Sequence, residues 1–529
     1  MSAADPIYLD YAATTPVDPC VIQAMSECLG AAGDFANPAS ATHVPGRRAQ
    51  ARVEHARAQV AALIGAQTAE IIFTSGATES NNLAILGVAR ANADRGRHIV
   101  SSRIEHRAVL DPCRRLEKEG FAVTYLLPDR DGRIAPDAVA AALRADTVLV
   151  SLMQVNNEIG VIQDIAAIAA MCRARDIPVH TDAAQAAGKM EVDARALGVD
   201  FLSLTAHKIH GPKGVGALFV RSGSRARLAP VSFGGGQELG LRPGTLATHQ
   251  IVGFGVAAEL ALQRLRQSSR LGNLRDRLWK GLSRLGGVHL NGAEAARIPG
   301  IVSVSFEGVN GESLVTGLTE LALSTGSACS SATGDPSYVL RALGRPSGLA
   351  QSTLRFSFGH GTSAADIDVA LEAVLREVNR LRMASPAADS TMINPKDVIL
   401  REDLVSRDFD VLSPLARQLF ENLPGAGVLA AATGVVRGEA GGPNTDAWVR
   451  FHLHVSDGIV RDARFQAFGC PHTLAVTAWL TLQLIGRKLT ELAVGEPAEW
   501  ARALCVPAEK LGRLLVVEDA LRACVKHGR

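Results

Sequence analysis

The stretch Phe201-Leu-Ser-Leu-Thr-Ala-His-Lys-Ile-His-Gly-Pro-Lys-Gly-Val-Gly216 combines an apolar run, a His-Lys pair and a turn rich in glycine and proline. The apolar run predicts a β-strand, which places Lys208 at the end of that strand. Burial disfavours the charged form of a lysine and lowers its pKa, and the neutral amine is the nucleophile. We therefore predict that Lys208 forms a Schiff base.

Short β-rich runs alternate with helical patterns around this stretch, from about residue 50 to 260. The predicted strands are Ile71–Thr74, His98–Ser101, Ala122–Leu126, Thr147–Leu152, Ile177–His180 and Phe201–Leu204. Because such alternation is typical of β-α-β units, it predicts a largely parallel sheet covered by helices. A second α+β unit is expected to begin at Ile301 and to end near Arg382.

The chain is too long for one core, and its 529 residues suggest two to four folding units. Small, polar and proline-containing residues after position 384 predict a linker over 384–409. A further compact domain is predicted over 410–529, with a helix, strands around Trp448–Val455 and Ile459–Phe468, and more helices.

The composition excludes several classes of protein. A net charge of +2 gives no reason to expect nucleic acid as a partner. No apolar stretch reaches the roughly 18 residues that span a bilayer, and no export signal is visible. The eight cysteines are scattered without a CxxC pair, which favours reduced thiols in a cytoplasmic protein.

Several polar groups follow predicted strands. The turn after Ile71–Thr74 would direct backbone amides and the Thr78 hydroxyl at an anion, although a plain helix cap is the alternative. Asp182 and Gln185 follow another strand, where ligands bind in open α/β sheets. His106 occupies an equivalent edge and suits stacking on a ring or acid/base work, or is a surface histidine.

An anion-binding turn, a carboxylate, a stacking histidine and a Schiff-base lysine together predict pyridoxal 5'-phosphate (PLP) as cofactor. The turn would bind the phosphate, and Asp182 would hold the proton of the pyridine nitrogen and strengthen the electron sink.

Two further residues indicate the reaction. Cys329 lies among small residues in Ser324-Thr-Gly-Ser-Ala-Cys-Ser-Ser-Ala-Thr-Gly-Asp-Pro336, which predicts a reachable, reactive thiol rather than a buried structural cysteine. Arg355 offers a planar fork for a substrate carboxylate, with a surface ion pair as the alternative.

At these residues the chain resembles the class V aminotransferase-like cysteine desulfurases of the IscS/NifS type. The resemblance runs from Ile7 to about Arg382. The matching blocks are Ile7-Tyr-Leu-Asp-Tyr-Ala-Ala-Thr-Thr-Pro16, Thr74-Ser-Gly-Ala-Thr-Glu-Ser80, Val155-Asn-Asn-Glu-Ile-Gly160, Asp182-Ala-Ala-Gln185, His207-Lys-Ile-His-Gly-Pro-Lys-Gly214, Gly234-Gly-Gly236, Gly244-Thr245 and Ser327-Ala-Cys-Ser-Ser331.

The resemblance implies a PLP fold-type I (aspartate aminotransferase-like) homodimer with a desulfurase part over 1–383. Its large domain would span about 15–260, and its small domain about 1–14 and 261–383. The residues implied to hold the cofactor are Ala77, Thr78, Asn157, Asp182, Gln185, Thr205, His207 and Lys208, with Thr245 reaching the phosphate from the partner subunit.

The resemblance also implies the chemistry. Lys208, His106 and Cys329 would be catalytic, and Asn157 and Arg355 would bind L-cysteine. Sulfur would leave L-cysteine as a persulfide on Cys329, alanine would be released, and the sulfur would pass to acceptors such as an iron–sulfur scaffold. The alternatives are a selenocysteine lyase, or a sulfur-trafficking docking module with vestigial activity.

The chain departs from the family pattern at a few positions near the site. Among the implied cofactor residues only Thr205 differs, since it stands where serine is common. The other departures are Gln154, Phe233, Gln237 and Leu239.

Residues 410–529 resemble a second family, the U-type (IscU/NifU) iron–sulfur scaffolds. The match rests on Ile459-Val-Arg-Asp-Ala-Arg-Phe-Gln-Ala-Phe-Gly-Cys470 and Val517-Glu-Asp-Ala-Leu-Arg-Ala523. Of the expected cluster ligands only Cys470 and Asp446 remain, so we expect no conventional iron–sulfur cluster. Cys470 is a candidate sulfur acceptor, with a docking or dimer-stabilising module as the alternative. A zinc site from Asp446, Cys470 and His472 would lack an evident fourth ligand.

Overall fold

A computed structural model describes residues 5–265, 269–325, 337–384, 398–400, 412–430, 432–441, 447–491, 497–506 and 511–527. The chain forms two compact units, Met1–Ser385 and Pro386–Arg529.

Thirteen described strands and thirteen described α-helices build the first unit, together with short 3-10 turns. The strands are β1 (Ile7–Tyr8), β2 (Ile71–Thr74), β3 (His98–Ser102), β4 (Ala122–Leu126), β5 (Thr147–Ser151), β6 (Val179–Asp182), β7 (Phe201–Thr205), β8 (Gly216–Val220), β9 (Val288–Leu290), β10 (Ile301–Phe306), β11 (Leu321–Ala322), β12 (Ser324–Thr325) and β13 (Thr353–Ser357). The helices are α1 (Pro19–Ser26), α2 (Val44–Leu63), α3 (Ala77–Ala91), α4 (Arg107–Lys118), α5 (Pro136–Ala142), α6 (Ile165–Arg173), α7 (Ala194–Leu197), α8 (Thr248–Leu265), α9 (Ser269–Leu282), α10 (Gly311–Gly317), α11 (Tyr338–Ala342), α12 (Ser347–Gln351) and α13 (Ala364–Ala384).

A seven-stranded sheet in the order β2-β8-β7-β6-β5-β3-β4 forms the centre of this unit. The pairs among β3 to β7 are parallel, which confirms the fold class predicted from the sequence. Helices cover both faces, so successive residues of one strand enter different cores: Phe201 packs in one and Leu202 in the other. Strands buried on both faces are rich in apolar residues, which is why the sequence shows β5 and β7 as nearly continuous apolar runs.

The strand β8 was missed by the sequence interpretation. It is antiparallel to both β7 and β2. The connection from Thr205 to Gly216 is too short for a crossover helix, and an antiparallel return strand is the geometry that such a short connection allows.

A four-stranded sheet in the order β12-β13-β10-β9 lies in the second part of this unit. The N-terminal strand β1 pairs in parallel with β11, and Leu9 packs in the same core as Phe356 and Val374. The N-terminal residues thus lie beside strands that come more than 300 positions later, whereas the proposed division of 1–383 into two domains stays a prediction.

The second unit contains a sheet in the order β14 (Val398–Leu400), β17 (Ile459–Gly469), β16 (Trp448–Ser456) and β15 (Val435–Gly441). Its helices are α14 (Pro414–Asn422), α15 (Pro471–Leu484), α16 (Pro497–Leu504) and α17 (Leu511–His527). The strand Val398–Leu400 lies inside the predicted linker 384–409, but it pairs in parallel with β17. This part of the segment therefore belongs to the C-terminal sheet, because its backbone groups complete the ladder of β17.

No helix in the described part of the chain is long and apolar enough to span a membrane.

Candidate active site

A cleft of about 550 Å³ opens at the carboxyl ends of the parallel strands of the large sheet. This volume lies in the ~300–1,000 Å³ range of cofactor and ligand pockets. The predicted site residues that line it are Ala77, Thr78, His106, Asn157, Asp182, Gln185, Thr205, His207, Lys208 and Arg355. The structure thus brings together residues from distant parts of the sequence, as the strand-end argument predicted.

Lys208 ends a short 3-10 turn that follows β7 directly. The turn keeps the residue at the edge of the sheet, and its side chain is half-buried. Its positive charge lowers the pKa values of neighbouring groups: burial and then Lys208 lower the pKa of His207 to about 4 and also lower the pKa of His106.

The Asp182 carboxylate is held by two donors. Asn81 Nδ2 donates to Asp182 Oδ2 at 2.7 Å, and the backbone N–H of Ala184 donates to Oδ1 at 2.9 Å. Asn81 is fully buried, and its Oδ1 has no hydrogen-bond partner. These contacts fix the orientation of the carboxylate in the cleft. Asn81 was missed from the sequence, although it follows the predicted residue Thr78 by one helical turn.

The predicted anion-binding turn begins at Gly76, the N-cap of α3, with φ of +154°. The first N–H groups of a helix have no partner within the helix, and the dipole favours an anion there. A Cβ on Gly216 would lie 2.6 Å from the Cα of Gly76 and 2.5 Å from the carbonyl oxygen of Leu204. Only glycine at position 216 lets β8 pass this closely behind the turn.

His106 is the N-cap of α4, and its Nδ1 accepts the backbone N–H of Ala108 at 3.1 Å. Burial, followed by the charge of Lys208, lowers the pKa of His106. The ring is therefore neutral at pH 7, and since Nδ1 accepts, Nε2 carries the proton.

Gln185 connects the cleft to a second lysine that the sequence interpretation missed. Lys189 Nζ donates to Gln185 Oε1, and Gln185 Nε2 donates to the carbonyl oxygen of Ala12 at 2.8 Å. Burial and the charges of Lys208 and Arg355 lower the pKa of Lys189 well below its ordinary value. Lys189 follows Gln185 by four residues, and this spacing was the feature of the sequence that could have indicated a contact between the two side chains.

Arg355 is only 1% exposed. The alternative predicted from the sequence, an ion pair on the surface, is therefore wrong, because the ion pair that Arg355 forms with Asp10 is buried on the arginine side. Its Nη2 donates to Asp10 Oδ1 at 2.7 Å, and its Nη1 donates to the carbonyl oxygen of Asn157 at 3.1 Å. Arg355 Nε and Asn157 Oδ1 are both buried without a partner. A donor and an acceptor thus remain to be satisfied beside the cleft, which fits the binding of a polar molecule.

Four predicted residues are not among the described residues that line the cleft. Thr245 lines a separate cavity with Glu238 and Leu239, not the cleft of its own chain. Cys329 and Asp446 lie outside the described residues. Cys470 is the N-cap of α15 and is fully buried, with its Sγ 3.4 Å from Thr473 Oγ1.

His472 follows Cys470 closely and is 1% exposed, and neither of its ring nitrogens has a hydrogen-bond partner. Within the described ranges, no group of three His, Cys, Asp or Glu residues is placed to hold a metal ion.

The donor set fits PLP. The cleft presents an amine, an oriented carboxylate, a neutral imidazole and a helix N-terminus, which match an aldehyde, a pyridinium nitrogen, a planar ring and a phosphate.

Comparison with known proteins gives the family. The family described as aminotransferase class-V matches residues 7–370, and the NifU-like N terminal domain matches residues 416–528. The cysteine desulfurase IscS of Pseudomonas aeruginosa is 54% identical over 385 residues, which cover 73% of this chain and 95% of that protein.

Solved structures agree. A NifS-like protein superimposes with a TM-score of 0.66 at 35% identity, covering 72% of this chain and all of that one. The structure described as SspA in complex with cysteine gives a TM-score of 0.60 at 39% identity, covering 66% of this chain and 98% of that one.

The chain therefore belongs to the class-V aminotransferase family. Within that family it is a relative of the IscS-type cysteine desulfurases, joined to a C-terminal NifU-like domain, and the resemblance deduced from the motifs is confirmed.

Proposed function

We propose that the chain is a PLP-dependent cysteine desulfurase that converts L-cysteine to L-alanine and leaves the sulfur as a persulfide on Cys329. The observation that carries the proposal is the convergence of Lys208, Asp182 and Arg355 on one cleft. When bound, PLP supplies the electron sink that stabilises negative charge at the substrate Cα.

Different residues of the cleft would bind different parts of the cofactor. Lys208 would attach the aldehyde, and the first N–H groups of α3 would bind the phosphate. The Asp182 carboxylate would accept a hydrogen bond from the protonated pyridine nitrogen, and Asn81 holds that carboxylate in place. The uncharged imidazole of His106 would stack on a cationic ring without repelling it.

Arg355 and Asn157 bind L-cysteine, with the Arg355 guanidinium at its carboxylate. Both carry buried polar atoms that lack a partner, namely Arg355 Nε and Asn157 Oδ1. An unsatisfied buried polar group costs about 1–3 kcal/mol, so a substrate that satisfies both gains affinity and orientation. Asp10 balances the charge of Arg355 in the absence of substrate.

Proton transfer is assigned to groups next to the reacting carbon. The Lys208 amine can accept the Cα proton when it is in its unprotonated form. His106 Nε2 carries a proton that it can donate, because the helix N-terminus occupies Nδ1.

Sulfur transfer uses the Cys329 thiolate, since the thiolate is the nucleophile. It attacks the substrate sulfur, and a sulfur–sulfur bond forms. The bond between that sulfur and Cβ breaks, and Cβ takes the electron pair and a proton to become the methyl group of alanine. Described residues on either side of Cys329 contact residues at or next to the cleft: Ser324 pairs with the cleft residue Arg355, and Ser337 donates to Glu158, which follows the cleft residue Asn157.

The test incubates the PLP-loaded protein with L-cysteine, measures alanine, and maps added sulfur by mass spectrometry. We expect sulfur on Cys329, no alanine from Lys208→Ala, and unchanged turnover in Cys20→Ala, since Cys20 is an exposed cysteine outside the cleft. Largely unchanged cysteine turnover in Cys329→Ala would contradict the persulfide mechanism and favour the selenocysteine lyase alternative.

We further propose that the enzyme is a homodimer in which Thr245 reaches the phosphate of the partner subunit. Support comes from the loop before Thr245, where Phe233 is 86% and Leu239 62% exposed. Glu238 anchors this loop through a buried ion pair with Arg57 at 2.7 Å. Phe233→Asp and Leu239→Asp should yield monomers in light scattering, whereas Val369→Asp, which alters another exposed apolar residue, should not.

The C-terminal domain is proposed to receive sulfur or to recruit the acceptor that receives it. Cys470 is fully buried, so transfer to its thiol requires the surrounding segment to open. Mapping sulfur on Cys470 and on the exposed Cys505 decides between the two roles. Unchanged sulfur on the C-terminal domain of Cys470→Ser would rule out Cys470 as the acceptor. The cytoplasmic location stays a prediction.

A further inference from the structure

A second cavity, of about 110 Å³, adjoins the cofactor cleft at Lys208. The two share Ala12 and Lys208 in their walls. Apolar side chains form much of the second cavity, among them Ile209, Leu271 and Phe358. For comparison, an engineered apolar cavity of about 150 Å³ binds benzene. The second cavity therefore has room for a small organic molecule.

The remaining walls are basic. Lys189, Arg264 and Arg270 line the cavity, and among its described lining residues there is no carboxylate. The histidines in the wall, His210 and His360, have pKa values lowered chiefly by burial and are neutral at pH 7.

Of these three basic side chains, only Arg264 has a carboxylate partner in the described part of the chain. Arg264 Nη2 lies 2.5 Å from Asp18 Oδ2. Arg270 donates to the carbonyl oxygens of His360 and Thr362, and Lys189 donates to the amide oxygen of Gln185. Neutral partners satisfy the hydrogen bonds of Arg270 but do not balance its charge, so the cavity keeps an excess of positive charge.

We propose that this cavity binds a short-chain carboxylate without an amino group, with its apolar chain on Leu271 and Phe358 and its carboxylate at Lys189 and Arg270. The charge excess supplies the attraction, and the apolar walls supply the burial of the carbon chain. An amino acid fits poorly because its ammonium group would face the same cations. The site is thereby distinct from the one that takes L-cysteine.

The ligand would also influence the cofactor, and this part rests on the proposed function. A carboxylate beside Lys189 favours its charged form, which burial and the neighbouring cations otherwise oppose. The charged amine makes a stronger hydrogen bond to Gln185, which lines the cofactor cleft. Occupation of the second cavity should therefore change the surroundings of the cofactor ring.

Calorimetric titration of the PLP-loaded protein with butyrate tests the binding site. We expect saturable binding of butyrate and none of butyramide, which has the same shape without the charge. Arg270→Gln should weaken binding about tenfold or more. Arg277→Gln is the matched control, because Arg277 lies on the same helix and pairs with the exposed Asp368.

Three results would overturn the site. Equal affinities for butyramide and butyrate would show that charge does not drive binding. Unchanged butyrate affinity in both Arg270→Gln and Arg264→Gln would show that butyrate does not bind in this cavity. Binding that is lost in Arg355→Lys but kept in Arg270→Gln would place butyrate in the substrate cleft instead.

The absorption spectrum of the bound cofactor tests the coupling. Butyrate should shift the spectrum of the wild-type protein, and Lys189→Met should abolish that shift. A spectrum that stays constant while calorimetry shows binding would overturn the coupling. Because neither readout needs turnover, butyrate binding by a protein that makes no alanine would contradict the desulfurase proposal alone.

Discussion

The hydroxyl of Ser337 donates a hydrogen bond to the Glu158 carboxylate across a buried contact. Glu158 follows Asn157, a cleft residue, whereas Ser337 is the first described residue after the segment that contains Cys329. Burial raises the pKa of Glu158 to about 7, and the Ser337 hydroxyl and Arg355 oppose that rise. The contact therefore ties the chain that carries the thiol to the wall of the cleft.

Ser337→Ala should slow the formation of the Cys329 persulfide roughly tenfold, because a misplaced nucleophile loses the benefit of orientation. The absorption of the bound cofactor should not change, because Lys208 and Asp182 are untouched. Single-turnover mixing with L-cysteine, quenched by a thiol-alkylating reagent, measures the rate.

Two further variants serve as controls for this test. Ser337 also caps α11 through Leu340, so Glu158→Gln, which keeps an acceptor for Ser337 and leaves the cap intact, should be milder. Ser283→Ala removes an exposed hydroxyl that bonds a backbone carbonyl and should have no effect. A wild-type rate in Ser337→Ala would show that the contact does not position the thiol.

Asn81→Ala should weaken PLP binding on the order of 10-fold to 100-fold, since a hydrogen bond to a charged group contributes ~1.5–3 kcal/mol. Asp182 would keep only the backbone donor of Ala184. Equilibrium dialysis of PLP measures the affinity. Asn82→Ala is the matched control, because Asn82 donates to the Thr78 carbonyl from an exposed position. Equal affinities in the two variants would contradict the role of Asn81.

The sequence predicted the sheet and the main residues of the cleft because apolar runs and strand ends are local features. Lys208, Asp182 and His106 each follow a strand that could be located by its own composition. The partners of these residues were not predictable in the same way. Asn81 meets Asp182 across about a hundred positions, and Ser337 meets Glu158 across a still longer separation. Such contacts depend on how helices pack over the sheet, which residue spacing does not specify.

The stability of the protein should fall as the pH rises through the titration of Glu105. This residue is 1% exposed, and burial raises its pKa to about 8 despite hydrogen bonds from Ser102 and the Met153 amide. Above the ordinary glutamate pKa the unfolded chain has lost this proton while the folded chain retains it. Stability is thus full below about pH 4.5 and declines until the pH passes about 8.

Glu105→Gln should remove the part of the decline that Glu105 causes, while the buried Glu158 still contributes its own, and the gain over wild type should increase with pH to at most about 5 kcal/mol. Urea denaturation at about pH 5 and at about pH 9 measures it. Glu191→Gln, at an exposed glutamate, should leave the pH dependence of wild type intact. Parallel pH profiles for wild type and Glu105→Gln would mean that the buried carboxyl does not retain its proton.

Gly216→Ala should damage both folding and cofactor binding. The new Cβ would lie 2.5 Å from the Leu204 carbonyl oxygen and 2.6 Å from Gly76 Cα, and both neighbours are backbone atoms that cannot rotate away. Overpacking of this kind costs about 3 kcal/mol, and relief requires β8 to move away from the anion-binding turn. Gly223→Ala is the control, because a Cβ there meets nothing within 4 Å. Thermal denaturation with and without PLP measures both effects: we expect a lower midpoint and a smaller rise on adding PLP. A normal rise in a destabilised Gly216→Ala protein would show that the turn does not bind the cofactor phosphate.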